Sequence, residues 1–407
     1  MTFKPATNLT ILAPAGSGDW HQEWAEGEVI RQPDRVILRT NGQGQALRVG
    51  VELRPALRLG QQNLVIQLRI TPLAALQRLE LRLAAQTGDR HRYVSLPIPF
   101  LGDLEANFLP TGAWSPLHLS LAHGRRCHLT EAEAEAPMTY LQVILEDRGG
   151  QPVEVELGAI TAQPRPQRGC ISLHFDDGYW HHGQQLPQLL QAHSTPQAPL
   201  KATAFLMPRH LNQPGHLSLA DSQRLAQDYG WELGAHHSQP LTTMAPAYLA
   251  EELAYTLEVF QTQGWARGPV HFAYPLGKMN CSCRRALASY FASGRLISGG
   301  PETLPPADWY RLRAINVTPL LSAQDLADLA ERAVHHGAWA IYMFHHIVEQ
   351  PRLLTEYARS ELESFLAFLR DQGYGTTAIA DLYGARPTGN GTTATNTRSM
   401  RRGALPI

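Results

Sequence analysis

Only four of the 407 residues are cysteine, too few to staple a chain of this length with a disulfide framework. Cys127 and Cys170 stand alone. Cys281-Ser282-Cys283 has no second pair to complete a zinc site, so it reads as two ordinary thiols near a helix start. An excess of either charge is also missing, the formal net charge being −1, and nothing in that balance calls for nucleic acid or an anionic membrane as partner. No apolar run approaches the ~20 residues of a membrane-crossing helix. Met1 to Gly18 hold one lysine and one short apolar patch, Leu9 to Pro14, which is not the pattern of a secretory leader. The expected location is therefore cytoplasmic, or outside by a non-classical or assembly-borne route.

What the chain does have is two kinds of hydrophobic period. Up to residue 163, apolar residues alternate with polar ones in short runs. Examples are Leu47, Val49, Val51 and Leu53; Leu64, Ile66, Leu68 and Ile70; Leu79, Leu81 and Leu83; Leu117, Leu119 and Leu121; Leu141, Val143 and Leu145; and Val153, Val155 and Leu157. Period two between turn residues predicts half-buried antiparallel strands, and several in succession predict an all-β sandwich, jelly-roll-like, over 1–163. Exposed aromatics such as Trp20, Trp24 or Trp114 would let it bind glycan, and a purely structural or attachment role is the other reading. A Pro-rich linker follows at 164–168. From 169 to 385, apolar strands alternate with helical patterns over 221–229, 246–263, 322–336 and 355–372, which predicts βα units and a mostly parallel sheet. The Gly/Thr/Asn-rich stretch 386–407 reads as a flexible tail.

One segment in the second half carries chemistry on its face. Leu173-His174-Phe175-Asp176-Asp177-Gly178-Tyr179 sets two adjacent carboxylates at the end of an apolar run, just before a glycine. Two ionised carboxylates at a strand mouth repel one another unless positive charge sits beside them, and a metal ion or a catalytic proton would supply it. The plainer alternative is an Asx-type turn after a strand.

Three further segments follow in order: Trp231-Glu232-Leu233-Gly234-Ala235-His236-His237-Ser238, Phe272-Ala273-Tyr274-Pro275-Leu276-Gly277, and Tyr342-Met343-Phe344-His345-His346-Ile347. Lys201-Ala202-Thr203-Ala204-Phe205-Leu206 lies between the first two carboxylates and these. Together, over roughly 166–385, they resemble the signature segments of the polysaccharide deacetylases, the family 4 carbohydrate esterases with a NodB-homology domain. The resemblance implies a distorted (β/α) barrel of fewer than eight repeats, with its chemistry at the C-terminal strand ends. It also implies hydrolysis of a carbon–nitrogen bond other than a peptide bond, removing acetyl groups from an N-acetylated glycan. A divalent metal would assist, Zn²⁺ ahead of Co²⁺ or Ni²⁺.

Carried onto this chain, the resemblance makes Asp176 the general base, Asp177 and His236 metal ligands (His237 the alternate), and the Leu276 N–H an oxyanion donor. It makes His345 the general acid, with His346 as its rival, and places Tyr179, Tyr274 and Pro275 against the substrate. Many members of the family carry an arginine at the place of Ala273; here Arg313 is the cation expected near Asp176. The chain departs from the pattern once. The family places a second metal histidine four residues after the first, where this sequence has Pro240 or Leu241. Gln239, His181 and His182 are the candidates to fill that gap. Two other functions stay open: a glycan-binding protein on a catalytically degenerate barrel, and a deacetylase of a small non-sugar amide. The oligomeric state stays open as well.

Overall fold

The computed structural model describes residues 9–384 apart from 15, 17–19, 25–26 and 267; the expected tail at 386–407 lies outside the described residues. The first half folds as two antiparallel six-stranded sheets. One runs Gly27–Gln32, Arg35–Thr40, Glu154–Pro164, Gln62–Thr71, Ser115–Leu119, with Thr10–Ala13 also paired to Glu154–Pro164. The other runs Arg125–Cys127, Tyr93–Pro97, Leu76–Ala84, Met138–Asp147, Ala46–Leu57, His21–Trp24. The alternating leucines and valines of the sequence are the buried positions of these strands, because successive side chains point to opposite faces. Trp20 is not the exposed aromatic expected: it is fully buried, whereas Trp24 is 61% and Trp114 40% exposed. Arg35 and Arg69 lie over the Trp114 ring, 6.0 and 5.6 Å from its centroid.

The ladder continues through Gln163 and Pro164, which pair with Asn63 and Gln62. Proline is tolerated there because it ends the strand, so the connection between the halves starts at Arg165. Beyond it, seven parallel strands close on themselves. They are β1 (Cys170–Phe175), β2 (Ala202–Leu206), β3 (Glu232–Ala235), β4 (His271–Ala273), β5 (Ser293–Gly299), β6 (Leu312–Asn316) and β7 (Ala338–Phe344), with β7 paired back to β1. Glu302–Thr303 adds a short antiparallel strand on β7. The predicted helices appear as Leu219–Gln227, Pro246–Thr262, Ala323–His335 and Arg359–Asp371. Ser218 and Ser322 cap two of them, each bonding the amide three residues on while an Asp side chain returns the bond. Among the described residues no helix is long and apolar enough to cross a membrane.

Period two sorts the barrel strands into an inner and an outer face. Phe205, Ala273, Leu312, Ala314, Trp339 and Ile341 pack together as one cluster inside the barrel. Phe272, Tyr274 and Phe344 belong to the larger core between strands and helices. On β1 the inner side carries Ser172, which accepts a hydrogen bond from Trp339 Nε1 (2.8 Å), and His174, edge-on to Phe205. Asp176 follows in the same alternation.

The sandwich docks on the barrel beside its strand-end mouth. The Leu104–Ala106 turn is tied to the loops after β3 and β4: Met279 N–H donates to the Glu105 carbonyl (3.0 Å), Lys278 pairs with Asp103 (2.7 Å), and Thr242 Oγ1 donates to Glu105 Oε2 (2.8 Å). A second set of seam contacts includes Asn63 Nδ2 donating to the Leu304 carbonyl (3.0 Å) and Arg311 Nη1 to Ser115 Oγ (2.6 Å).

Candidate active site

The apolar run of β1 ends at Phe175, and Asp176 N–H still extends the ladder by donating to the Phe344 carbonyl (2.9 Å). Asp177 and Gly178 then take left-handed φ values of +69° and +61°. That turn reverses the chain directly after the carboxylates, and glycine suits its second position. His236 is set the same way at the next-but-one strand end: its N–H donates to the Leu206 carbonyl (2.8 Å). Both residues stand at C-terminal ends of parallel strands.

Asp177 and His236 meet there. His236 Nε2 lies 3.2 Å from Asp177 Oδ1, and Nδ1 donates to the Ala273 carbonyl (2.7 Å). That bond fixes the ring and its tautomer, leaving Nε2 toward the mouth, the arrangement that a ligating histidine needs. Tyr179 OH donates to Asp177 Oδ2 (2.9 Å). Burial works against the Asp177 charge, but the His236 imidazole, His345 and the Tyr179 hydroxyl hold its carboxyl below the ordinary range. The alternate ligand, His237, faces elsewhere: Nε2 is 3.2 Å from Glu252 Oε2, a carboxylate that also takes two bonds from Arg209.

Neither histidine proposed to replace the missing second ligand is turned toward Asp177. His181 Nε2 accepts the Ile347 N–H (3.2 Å). His182 is fully buried behind Phe175 and donates from Nε2 to the His345 carbonyl (2.7 Å). The Gln239 backbone N–H donates to His237 Nδ1 (3.0 Å). Among the described residues, no third His, Cys, Asp or Glu donor joins Asp177 and His236 within ligand distance. The donor set thus fits a divalent ion in chemistry and orientation but supplies two side chains rather than three.

Asp176 is 2% exposed, and both of its oxygens accept from one nitrogen, Arg295 Nη2, the longer contact being 2.6 Å. Arg295 itself is fully buried on β5, with its guanidinium 5.0 Å from the Phe205 ring centroid. The expected cation, Arg313, is not there. It donates through Nε (3.1 Å) and Nη2 (2.6 Å) to Glu302, with the Phe108 ring of the sandwich 5.6 Å away. Register explains the exchange. Arg295 lies opposite Ala273 on β4 and Leu312 on β6, both inner positions, so Arg313, one residue on, faces outward. Ala273 is also the place where the family often carries its arginine. Here the neighbouring strand supplies the charge across a small side chain.

His345 follows Ile341 and Met343 in the inner alternation; it is half-buried, and its Nδ1 is enclosed without a hydrogen-bond partner. His346 instead stacks on Tyr179, ring centroids 3.7 Å apart. Leu276 adopts φ +55° in the Pro275–Gly277 turn and its side chain is 64% exposed at the mouth. Two expected substrate contacts do not reach the surface. Tyr274 is fully buried against Phe272 and Gly294, where any Cβ would come within 2.4 Å of its ring, and Pro275 is buried too. Alternation puts Tyr274 on the outer face of β4, under the helices. Of the three only Tyr179, half-buried, borders the mouth.

Sequence reading missed Arg295. The signal was a lone arginine in the apolar stretch Phe291 to Ile297, since arginine is almost never fully buried without an anion. Arg313 is a second buried arginine, and strand register tells the two apart.

The family model for polysaccharide deacetylase matches residues 163–291, a span that includes Asp176, Asp177, His236 and Leu276 and stops short of Arg295 and His345. A putative polysaccharide deacetylase of Bacillus subtilis (strain 168), YxkH, is 25% identical over 170 residues, which cover 40% of this chain and 56% of that protein. The chain thus spans little more than half the length of that curated relative. Among solved structures, similarity extends to a Streptococcus pyogenes deacetylase, PplD, in complex with acetate (18% identity, TM-score 0.35, 39% of this chain and 70% of that one). It extends also to a polysaccharide deacetylase from Bacillus cereus (11% identity, TM-score 0.36, 73% and 99%). Over residues 163–291 the chain is similar to the polysaccharide deacetylase family.

Proposed function

We propose that the chain is a metal-dependent deacetylase that removes acetyl groups from an N-acetylated glycan at the mouth of the barrel. The observation that carries this reading is the pairing of Asp176 with Arg295 next to the Asp177–His236 pair. Two adjacent carboxylates are given separate partners and therefore separate roles.

Asp177 and His236 would hold the ion, which when bound polarises the acetyl carbonyl and acidifies water. The remaining work falls to the protein. Asp176, its buried charge balanced by Arg295, takes the proton from the attacking water as the water oxygen bonds to the acetyl carbon. The Leu276 N–H, in the left-handed turn, donates to the carbonyl oxygen as negative charge develops there. His345 gives a proton to the nitrogen as the C–N bond breaks, releasing acetate and a free amine. The Leu104–Ala106 turn of the sandwich forms one wall beside Leu276, so a polymeric substrate would contact both domains.

One observation favours a rival. A mouth with two ligands suits a glycan-binding protein on a degenerate barrel. The test is acetate release from N-acetylglucosamine oligomers and from small acetamides, with Zn²⁺, Co²⁺ or Ni²⁺ added. Turnover of oligomers supports the proposal, turnover of small amides alone moves the substrate class, and binding without turnover supports the rival.

A further inference from the structure

A second group of metal-binding side chains lies far from this mouth. Glu131 and Glu135 sit four residues apart on one face of the short helix Glu131–Glu135 of the sandwich, which Thr130 caps. His335 ends the barrel helix Ala323–His335 and His336 caps it, just before β7 begins at Ala338. His345, at the mouth, lies past the other end of that strand, ~20 Å away at the usual rise per residue. One donor atom from each of the four residues lies within 4.8 Å of all the others.

We propose that Glu131, Glu135, His335 and His336 bind a Zn²⁺-class ion that fastens the sandwich to the barrel. Two imidazoles and two carboxylates make a four-donor set of the kind that zinc takes in tetrahedral sites, and cobalt and nickel share the preference for imidazole. The four side chains already approach one another closely. His335 Nε2 lies 2.8 Å from Glu131 Oε1 and 3.9 Å from Glu135 Oε1. The His335 and His336 ring centroids are 4.7 Å apart, edge to face. His336 Nδ1 is enclosed and has no hydrogen-bond partner. Glu131, His335 and His336 line an open cleft of about 710 Å³, and Glu135 and His335 line another of about 470 Å³, which gives an ion access. Arg126, 3.5 Å from Glu131, and the charges of Arg165 and Arg332 near His336 work against a cation, and the two carboxylates offset them.

This site is independent of the deacetylase reading, and it changes how metal content must be interpreted. Zinc found in the purified protein can belong to the seam and say nothing about Asp177. The test uses the full chain, stripped with chelator and titrated with Zn²⁺, as wild type, as Asp177→Ala, and as the double variant Glu135→Gln/His335→Gln. His335 is 59% exposed in its side chain, so the double variant is expected to fold, and circular dichroism checks that it does. Asp177→Ala should keep one tightly bound Zn²⁺ and a zinc-dependent rise in Tm. The folded double variant should lose one Zn²⁺ equivalent relative to wild type, or bind it at least tenfold more weakly, and lose that rise. Absence of zinc from Asp177→Ala, or equal zinc in the double variant and wild type, would overturn the proposal and leave an ordinary His335–Glu131 ion pair.

Discussion

Replacing Arg295 by methionine, which keeps much of the side-chain volume and removes the charge, tests the buried pair directly. Arg295 is fully buried and Asp176 is 2% exposed, so neither solvent nor salt can take over when its partner is lost. Breaking a buried pair by removing one member typically costs about 3–5 kcal/mol, because the other charge stays buried without compensation. An exposed pair on one helix, Arg359–Glu363 at 2.8 Å, should contribute no more than about 0.5 kcal/mol. Arg295→Met is therefore expected to destabilise the barrel by about 3–5 kcal/mol in urea unfolding followed by a barrel signal. In an Asp176→Asn background no buried anion is left behind, and the cost should drop by at least ~2 kcal/mol. Acetate release should fall in Arg295→Met even under conditions where the variant is fully folded. A cost below ~1 kcal/mol, or the same cost in both backgrounds, would refute the reasoning.

Other outcomes follow from the same geometry. Arg313→Met should destabilise to a similar degree through the loss of Glu302, yet leave acetate release per folded molecule unchanged, which separates the two arginines kinetically. His345→Ala should lower kcat by ~10²–10⁴-fold, the usual worth of a general acid, and the loss should be smaller for substrates whose leaving amine is already acidic. His118, at the seam beside Glu302 and Arg313, has its pKa pushed down by burial from 6.5 to about 4. A histidine kept neutral in the fold contributes stability above pH 6.5 that is lost as pH falls through 4, here worth about 3 kcal/mol. Urea unfolding of wild type and His118→Asn at pH 7 and pH 4.5 should show a smaller acid loss in the variant.

The legible part of this chain was whatever local pattern dictates. Period-two leucines placed the sandwich strands, and the change to helical periods after residue 165 placed the barrel. Asp176 and Asp177 could be found because a strand end fixes them within a few residues, whereas His236 was singled out by the resemblance to the family segment. What the sequence left hidden depends on register and long-range packing. Arg295 and Arg313 look alike in one dimension and differ only in which barrel face each strand gives them. Tyr274 sits beside the oxyanion turn in sequence, but alternation turns it into the layer under the helices. Trp20 has the composition of a glycan contact and the position of a core residue. The cluster of Glu131, Glu135, His335 and His336 joins residues about two hundred positions apart, and no local signal announces it.

The most direct test of the central claim is acetate and free-amine release from N-acetylglucosamine oligomers, measured side by side for metal-loaded wild type and Asp176→Asn. The account expects equal amounts of acetate and amine from wild type, and a ~10²–10⁴-fold lower rate in the folded variant. No release from wild type, or an unchanged rate in Asp176→Asn, would contradict it.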